Sequence, residues 1–222
     1  MNLYAQGLSL TWLVFGWLGL FGMLIWALKS APWYKVRNDK AAQNIWLFIS
    51  VVVFFVWQLG ASLGDGVTFH FLLMTLMTLM FGVQFAFLGM LLALLGVTYF
   101  SALGWMAFGV NALLMGVLPI VITQLMLRFS EQFLEQNFFV YVFFNAFLAA
   151  GIGVVATLSL GGLIMGLNEV HSFAYLAQHF FPFIPLMATP EGFVNGMLIA
   201  AIIMMKPHWL STFSDQSHLQ GK

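Results

Sequence analysis

The sequence predicts an all-α fold: a polytopic bundle of about seven transmembrane helices, with the N-terminus outside and the C-terminus inside. Three observations predict it. Hydrophobic residues make up 62% of the 222 and charged residues only 6%, against about 25% charged in ordinary soluble domains. Seven basic and seven acidic side chains cannot cover the surface of a soluble domain of this size. The apolar residues also fall in long unbroken runs rather than in the alternation of barrel strands, so helices satisfy the backbone in lipid. The whole chain, residues 1–222, reads as one integral membrane domain that ends in a polar cytoplasmic tail, 206–222.

A span needs about 20 apolar residues, since about 30 Å of hydrocarbon is crossed at 1.5 Å per residue. The first runs from Leu8 to Leu28, and MNLYAQGLSL before it lacks the basic start of a cleaved leader, so the span is expected to be retained. KSAPWYKVRNDKAAQ follows with four of the seven basic residues, Lys29, Lys35, Arg37 and Lys40, which marks it as cytoplasmic. The second span is Asn44 to Gly60, then an outer turn, ASLGDG. The third, Val67 to Phe81, is short, and Gly82 and Gln84 mark an inner turn. The fourth is Val83 to Tyr99 and the fifth Gly104 to Leu127, with a kink expected at Pro119. Arg128, Glu131 and Glu135 form a polar cytoplasmic connection. The sixth span is Phe138 to Leu163, followed by an outer or interfacial segment, NEVHSFAYLAQHFFPFIP. The last is Pro190 to Met205, closed by Lys206 on the cytoplasmic side. Six spans plus one re-entrant segment is the competing count.

Polar residues at membrane depth are the natural functional candidates. His70 leads into the third span, where it is either an interfacial histidine bonded to a backbone carbonyl or a metal ligand; neutral imidazole suits nickel, copper, zinc and cobalt. Glu191 in ATPEGFVNG fits a helix start, with Thr189 as N-cap, Pro190 at the first position and a carboxylate in the first turn. The alternative is a buried carboxylate that holds a cavity wall. Asn111, Asn145, Asn195, Gln84 and Gln124 read as interhelical hydrogen-bond partners. Met74, Met77 and Met80 form a packing stripe, although soft thioethers also suit copper(I). His171 and His179 lie eight residues apart in the outer connection, too far for shared ligation unless the chain bends. His208 and His218 belong to the inner end and tail.

Several functions are argued against. There is no cysteine, hence no disulfide, thiolate metal site or cysteine nucleophile. Net charge is zero, so nucleic acid is not an expected partner. Neither a phosphate-binding G-x-x-x-x-G-K-[ST] loop nor H-E-x-x-H occurs, and no enzymatic activity or bound cofactor is expected.

Three segments, GVTFHFLLMTLMTLMFG, GVNALLMGVLP and IPLMATPEGFVNGMLIA, resemble in order and spacing the membrane substrate-capture subunits of cobalt and nickel energy-coupling-factor transporters, the CbiM/NikM type. The resemblance covers residues 60 to 205. It implies a permease in the bacterial inner membrane that captures cobalt or nickel and is energised by a separate ATPase of the ABC type and a coupling membrane subunit. In that family the N-terminal amine, the next backbone nitrogen, a histidine at position two and a later histidine hold the metal at the outer face. By resemblance Met1 and His70 take the first and last roles, and Asn2 stands where the family has histidine, with His171 as one possible replacement. Asn111 and Glu191 carry over as structural supports of the cavity. The metal would be cargo, and because its ligands must be deprotonated to bind, capture would weaken in acid. A non-transporting scaffold or assembly factor for a metalloenzyme complex is the alternative that Asn2 favours.

Overall fold

The computed structural model describes residues 2–62, 68–101 and 104–213. Met1, most of the turn at 63–67 and the tail from 214, with His218, lie outside the described residues. Among the described residues, six segments are long and apolar enough to cross a membrane: Leu10–Ser30, Lys40–Gln58, Met74–Phe100, Trp105–Phe133, Val140–Leu167 and Phe183–Met205. We label Leu10–Ser30 α1, the short amphipathic Trp33–Arg37 α2, and Lys40–Gln58 α3. Asp39 caps α3, its carboxylate accepting from the Ala41 and Ala42 amides at 2.8 and 3.1 Å. Ala61–Ser62 then pairs antiparallel with Thr68–Phe69.

Met74–Phe100 is not one straight helix. Gly82 adopts φ +78° and ψ 169°, outside helical space, a conformation that glycine reaches without a Cβ penalty. It separates α4 (74–81) from α5 (83–100). A Cβ placed on Gly89 would lie 2.5 Å from the Met77 Cε. Residues 12 apart would sit about 18 Å apart along a straight helix, so α4 folds back against α5. The expected third and fourth spans are thus one hairpin, and α4 is about two turns long. Residues 74–80 are all buried. That burial explains how a helix too short to span survives at membrane depth: protein, not lipid, surrounds it. The methionines 74, 77 and 80 are packing residues within this core.

Trp105–Phe133 is α6. A π-helical turn, Ala112–Val117, precedes Pro119, so the expected kink is absorbed by local widening of the helix. Val140–Leu167 is α7, which opens in a π-helical stretch, Val140–Leu148. Phe173–His179 is α8, capped by Ser172. Phe183–Met205 is α9, so the last span begins seven residues before Pro190, which lies inside it. Beyond Lys206 the chain was expected to leave as a tail, yet as far as Phe213 it packs back on the bundle. Ser211 N–H donates to the Met80 carbonyl at 3.0 Å and Thr212 Oγ1 to that of Leu79 at 2.9 Å. Tyr141 and Thr212 hydroxyls meet at 2.6 Å.

The outward faces are apolar. Phe15 on α1 and Phe48 on α3 are each 65% exposed, as lipid-facing rings should be. Small residues set the closest helix approach, where Gly16 of α1 meets Gly109 of α6. A Cβ on Gly109 would lie 2.5 Å from the Gly16 carbonyl carbon and 2.6 Å from the Trp17 nitrogen, and backbone yields little. Gly109→Ala is expected to lower stability by about 1–3 kcal/mol, read as a drop in melting temperature of the detergent-solubilised protein. Gly22→Ala, which meets nothing within 4 Å, is expected to leave the melting temperature unchanged or slightly raised.

Candidate functional site

The candidate site lies at the end of the bundle where the chain starts. It depends on backbone that is not helical. Between Thr68–Phe69 and α4 the segment 70–73 runs without secondary structure, and Leu73 ends it in the left-handed region at φ +58°. The amides of Leu72 and Leu73, just ahead of α4, and of Leu76 in its first turn have no intrahelical acceptors, and all three residues are buried. Glu191, 2% exposed, supplies the acceptors. Its two carboxylate oxygens receive the Leu72 and Leu73 N–H groups at 2.8 and 2.7 Å. Asn195, one turn further along α9, accepts from Leu76 N–H at 2.8 Å and donates to Glu191 Oε1 at 3.0 Å. Trp57 of α3 closes the ring by donating to the Leu72 carbonyl at 3.2 Å.

This geometry corrects the helix-start reading of Glu191. The residue sits mid-helix in α9, and its carboxylate holds the backbone that leads into α4, a different element, at the positive end of that helix. Thr189 and Pro190 cap nothing. Asn195 was read only as a generic interhelical partner; its place four residues after Glu191 puts both groups on one helix face.

The clamp places His70. The ring is buried, 6% exposed, and packs beside Trp57 with centroids 5.4 Å apart. Its Nδ1 lies 3.1 Å from the Phe71 carbonyl oxygen. Its Nε2 faces Asn2, whose Oδ1 is 3.3 Å away. Both oxygens can only accept, so the neutral ring donates to one or the other, and the form with its proton on Nδ1, toward Phe71, is the one whose Nε2 can coordinate a cation.

Asn111 of α6 delivers Asn2 to this position. Its side-chain amide pairs with the backbone of Leu3 in both directions, accepting from Leu3 N–H at 2.8 Å and donating to Leu3 C=O at 2.9 Å. The buried Asn111 amide thus reads the chain as a neighbouring strand would. Ser9 N–H is held by Asn168 Oδ1 at 2.8 Å, so the start of the chain is tied at three successive points before α1 begins.

The other sequence candidates lie elsewhere. His171, Tyr175 and His179 stack as a ladder along α8, with centroids 4.8 and 4.6 Å apart, and among the described residues no three of histidine, aspartate, glutamate or cysteine converge as a metal cluster. His208 is at the opposite end. Gln84 reaches the Ser30 hydroxyl at 3.3 Å. Asn145, expected to bridge helices, is buried in the π-helical stretch of α7, and neither polar atom of its amide has a hydrogen-bond partner among the described residues.

A family model described as CbiM, cobalt uptake substrate-specific transmembrane region, matches residues 2–209. No curated protein matches the chain. Among solved structures, the crystal structure of a truncated transition metal transporter is similar, with a TM-score of 0.76 over 92% of this chain and 99% of that one. At 17% sequence identity this likeness is one of fold.

The clamp has a direct consequence. Glu191→Ala leaves two buried amides without acceptors, which is expected to cost about 2–5 kcal/mol. Glu191→Gln keeps one acceptor oxygen and is expected to lose less than half of that. Thermal unfolding of the two variants in one detergent reads the order, wild type above Gln above Ala.

Proposed function

We infer that this chain, which belongs to the CbiM family of cobalt-uptake substrate-specific transmembrane regions, captures a transition-metal cation where its first residues meet His70. Membership places it among multi-pass transport proteins of the membrane rather than among enzymes. The approach of Asn2 Oδ1 to His70 Nε2, 3.3 Å, is the observation that supports the reading most. Metal-bound histidines characteristically give their second ring proton to a carbonyl or carboxylate, and Phe71 offers that carbonyl.

In this reading His70 Nε2 is one ligand, the Asn2 amide oxygen and the nitrogens of the chain start, including Met1, complete the set, and cobalt or nickel is the cargo. An amide oxygen is a weaker ligand than imidazole for these ions. The set is therefore poorer than one with histidine at position two, and capture is correspondingly weaker. The metal end faces outside the bacterial inner membrane, since Lys29, Lys35, Arg37 and Lys40 lie at the other end of α1 and favour the cytoplasm. With no phosphate-binding loop in its sequence, the chain draws energy from a separate ATPase and a coupling membrane subunit, which dock at the cytoplasmic end. Asn111 and Glu191 act through the backbone they hold and are not ligands.

Purified protein titrated with cobalt(II) or nickel(II) by calorimetry tests this. His70→Ala is expected to weaken binding by roughly a hundredfold or more, and Asn2→His to tighten it by restoring an imidazole. Burial holds the His70 imidazole well below its ordinary value of about 6.5, so binding through this ring is expected to persist below that pH and to fall only in stronger acid, where protons compete for the same lone pair. Equal affinity in wild type and His70→Ala removes the capture role and leaves the scaffold reading for a member of this fold.

A further inference from the structure

A cleft of about 530 Å³ lies at the end opposite His70, where α2, the start of α3, the turn into α5 and the segment 208–211 meet. Tyr34, Lys35 and Asn38 stand at its polar side, and Trp46 and Phe85 form its apolar wall. A second crevice, about 420 Å³, lies between α1 and α5 and is lined wholly by apolar surface. It exists because α1 packs on α6 while α3, its neighbour in sequence, packs on α5. Large rings from Trp33 and Trp46 rather than a helix border the gap.

The two spaces share one partition. Trp46 lines both, its Nε1 donates to the Phe85 carbonyl at 2.8 Å, and the Phe85 ring packs edge-on to Trp33 and Trp46 at 5.5 and 5.8 Å. Along α5 the crevice follows Leu88 and Leu92 to Leu95. Phe85 to Leu95 is ten residues, about 15 Å of helix, which is about half the hydrocarbon thickness of a bilayer. From the Phe85 partition to Leu95, cleft wall and crevice together thus reach the depth of one leaflet.

Charge completes the pattern. Lys29, Lys35, Arg37, Lys40 and Lys206 are all exposed at this end. Asp39, the acidic group in the cleft wall, is already engaged as the cap of α3. A cationic mouth above an apolar slot one leaflet deep is complementary to an amphiphile with an anionic head. We propose that the cleft and the crevice together bind one anionic phospholipid, its phosphate beside Lys35 and Tyr34 and one acyl chain between α1 and α5. The lipid fills the gap that α1 leaves and fastens that helix to the bundle.

Native mass spectrometry of the full chain, reconstituted in phosphatidylcholine with or without phosphatidylglycerol, tests this. One retained phosphatidylglycerol is expected, with a raised melting temperature in the mixed lipid. Lys35→Glu with Lys40→Glu, both on exposed side chains, is expected to cut retention about tenfold or more. Leu92→Trp, which fills the crevice from a half-exposed position, is expected to displace the lipid with every charge still in place. Equal retention of both lipids, or retention unchanged in both variants, overturns the proposal. So does a wild-type chain that retains no lipid and gains stability only when a protein partner is added. Cobalt or nickel binding, read on the same samples, reports the other end of the molecule and separates failure of this site from failure of the metal site.

Discussion

A single buried carboxylate organises this molecule. Glu191 accepts the Leu72 and Leu73 amides, and beside it Asn195 meets the buried Leu76 amide in the first turn of a helix too short to cross a bilayer. In hydrocarbon an unsatisfied backbone amide costs several kcal/mol, so an extended segment and a two-turn helix can sit at membrane depth only inside a protein that supplies partners. Here both ends of α4 are supplied. The Leu72 and Leu73 amides that lead into it and its own Leu76 amide go to side chains of α9, and its last carbonyls go to Ser211 and Thr212 of the returning C-terminal segment. The rest of the bundle is a sleeve around this element.

Function follows from the same constraint. A segment held at 70–73 presents the His70 ring, and Asn111 brings the chain start to it by gripping Leu3. The proposed ligand atoms would therefore come from two pieces of irregular chain, each positioned by a buried amide or carboxylate on a regular helix. Neither support touches the proposed cation. The opposite end has a separate character, basic and aromatic, with its own cleft.

Much of the fold was legible in the sequence. Long apolar runs and one basic loop locate the spans, because hydropathy and charge act residue by residue. The boundaries that failed did so for identifiable reasons. Pro190 and Glu191 look like a helix start, but α9 begins at Phe183, and a carboxylate that caps another helix leaves no local trace. The third span looked continuous from Val67, yet the helix forms only from Met74, since the pairing that satisfies the segment before it comes from residues more than a hundred positions away. His70 stood out as a polar group at a span edge, whereas its approach to Asn2 is tertiary and was reachable only through family resemblance. Asn145 was legible as buried and polar but not as lacking a hydrogen-bond partner.

Hydrogen exchange at residues 70–76, followed by mass spectrometry in lipid nanodiscs, tests the central claim most directly. The account predicts strong protection of the Leu72, Leu73 and Leu76 amides in the wild type, and its loss at Leu72 and Leu73 in Glu191→Ala while α5 stays protected. Rapid exchange of those amides in the wild type, or protection that persists without the carboxylate, would contradict it.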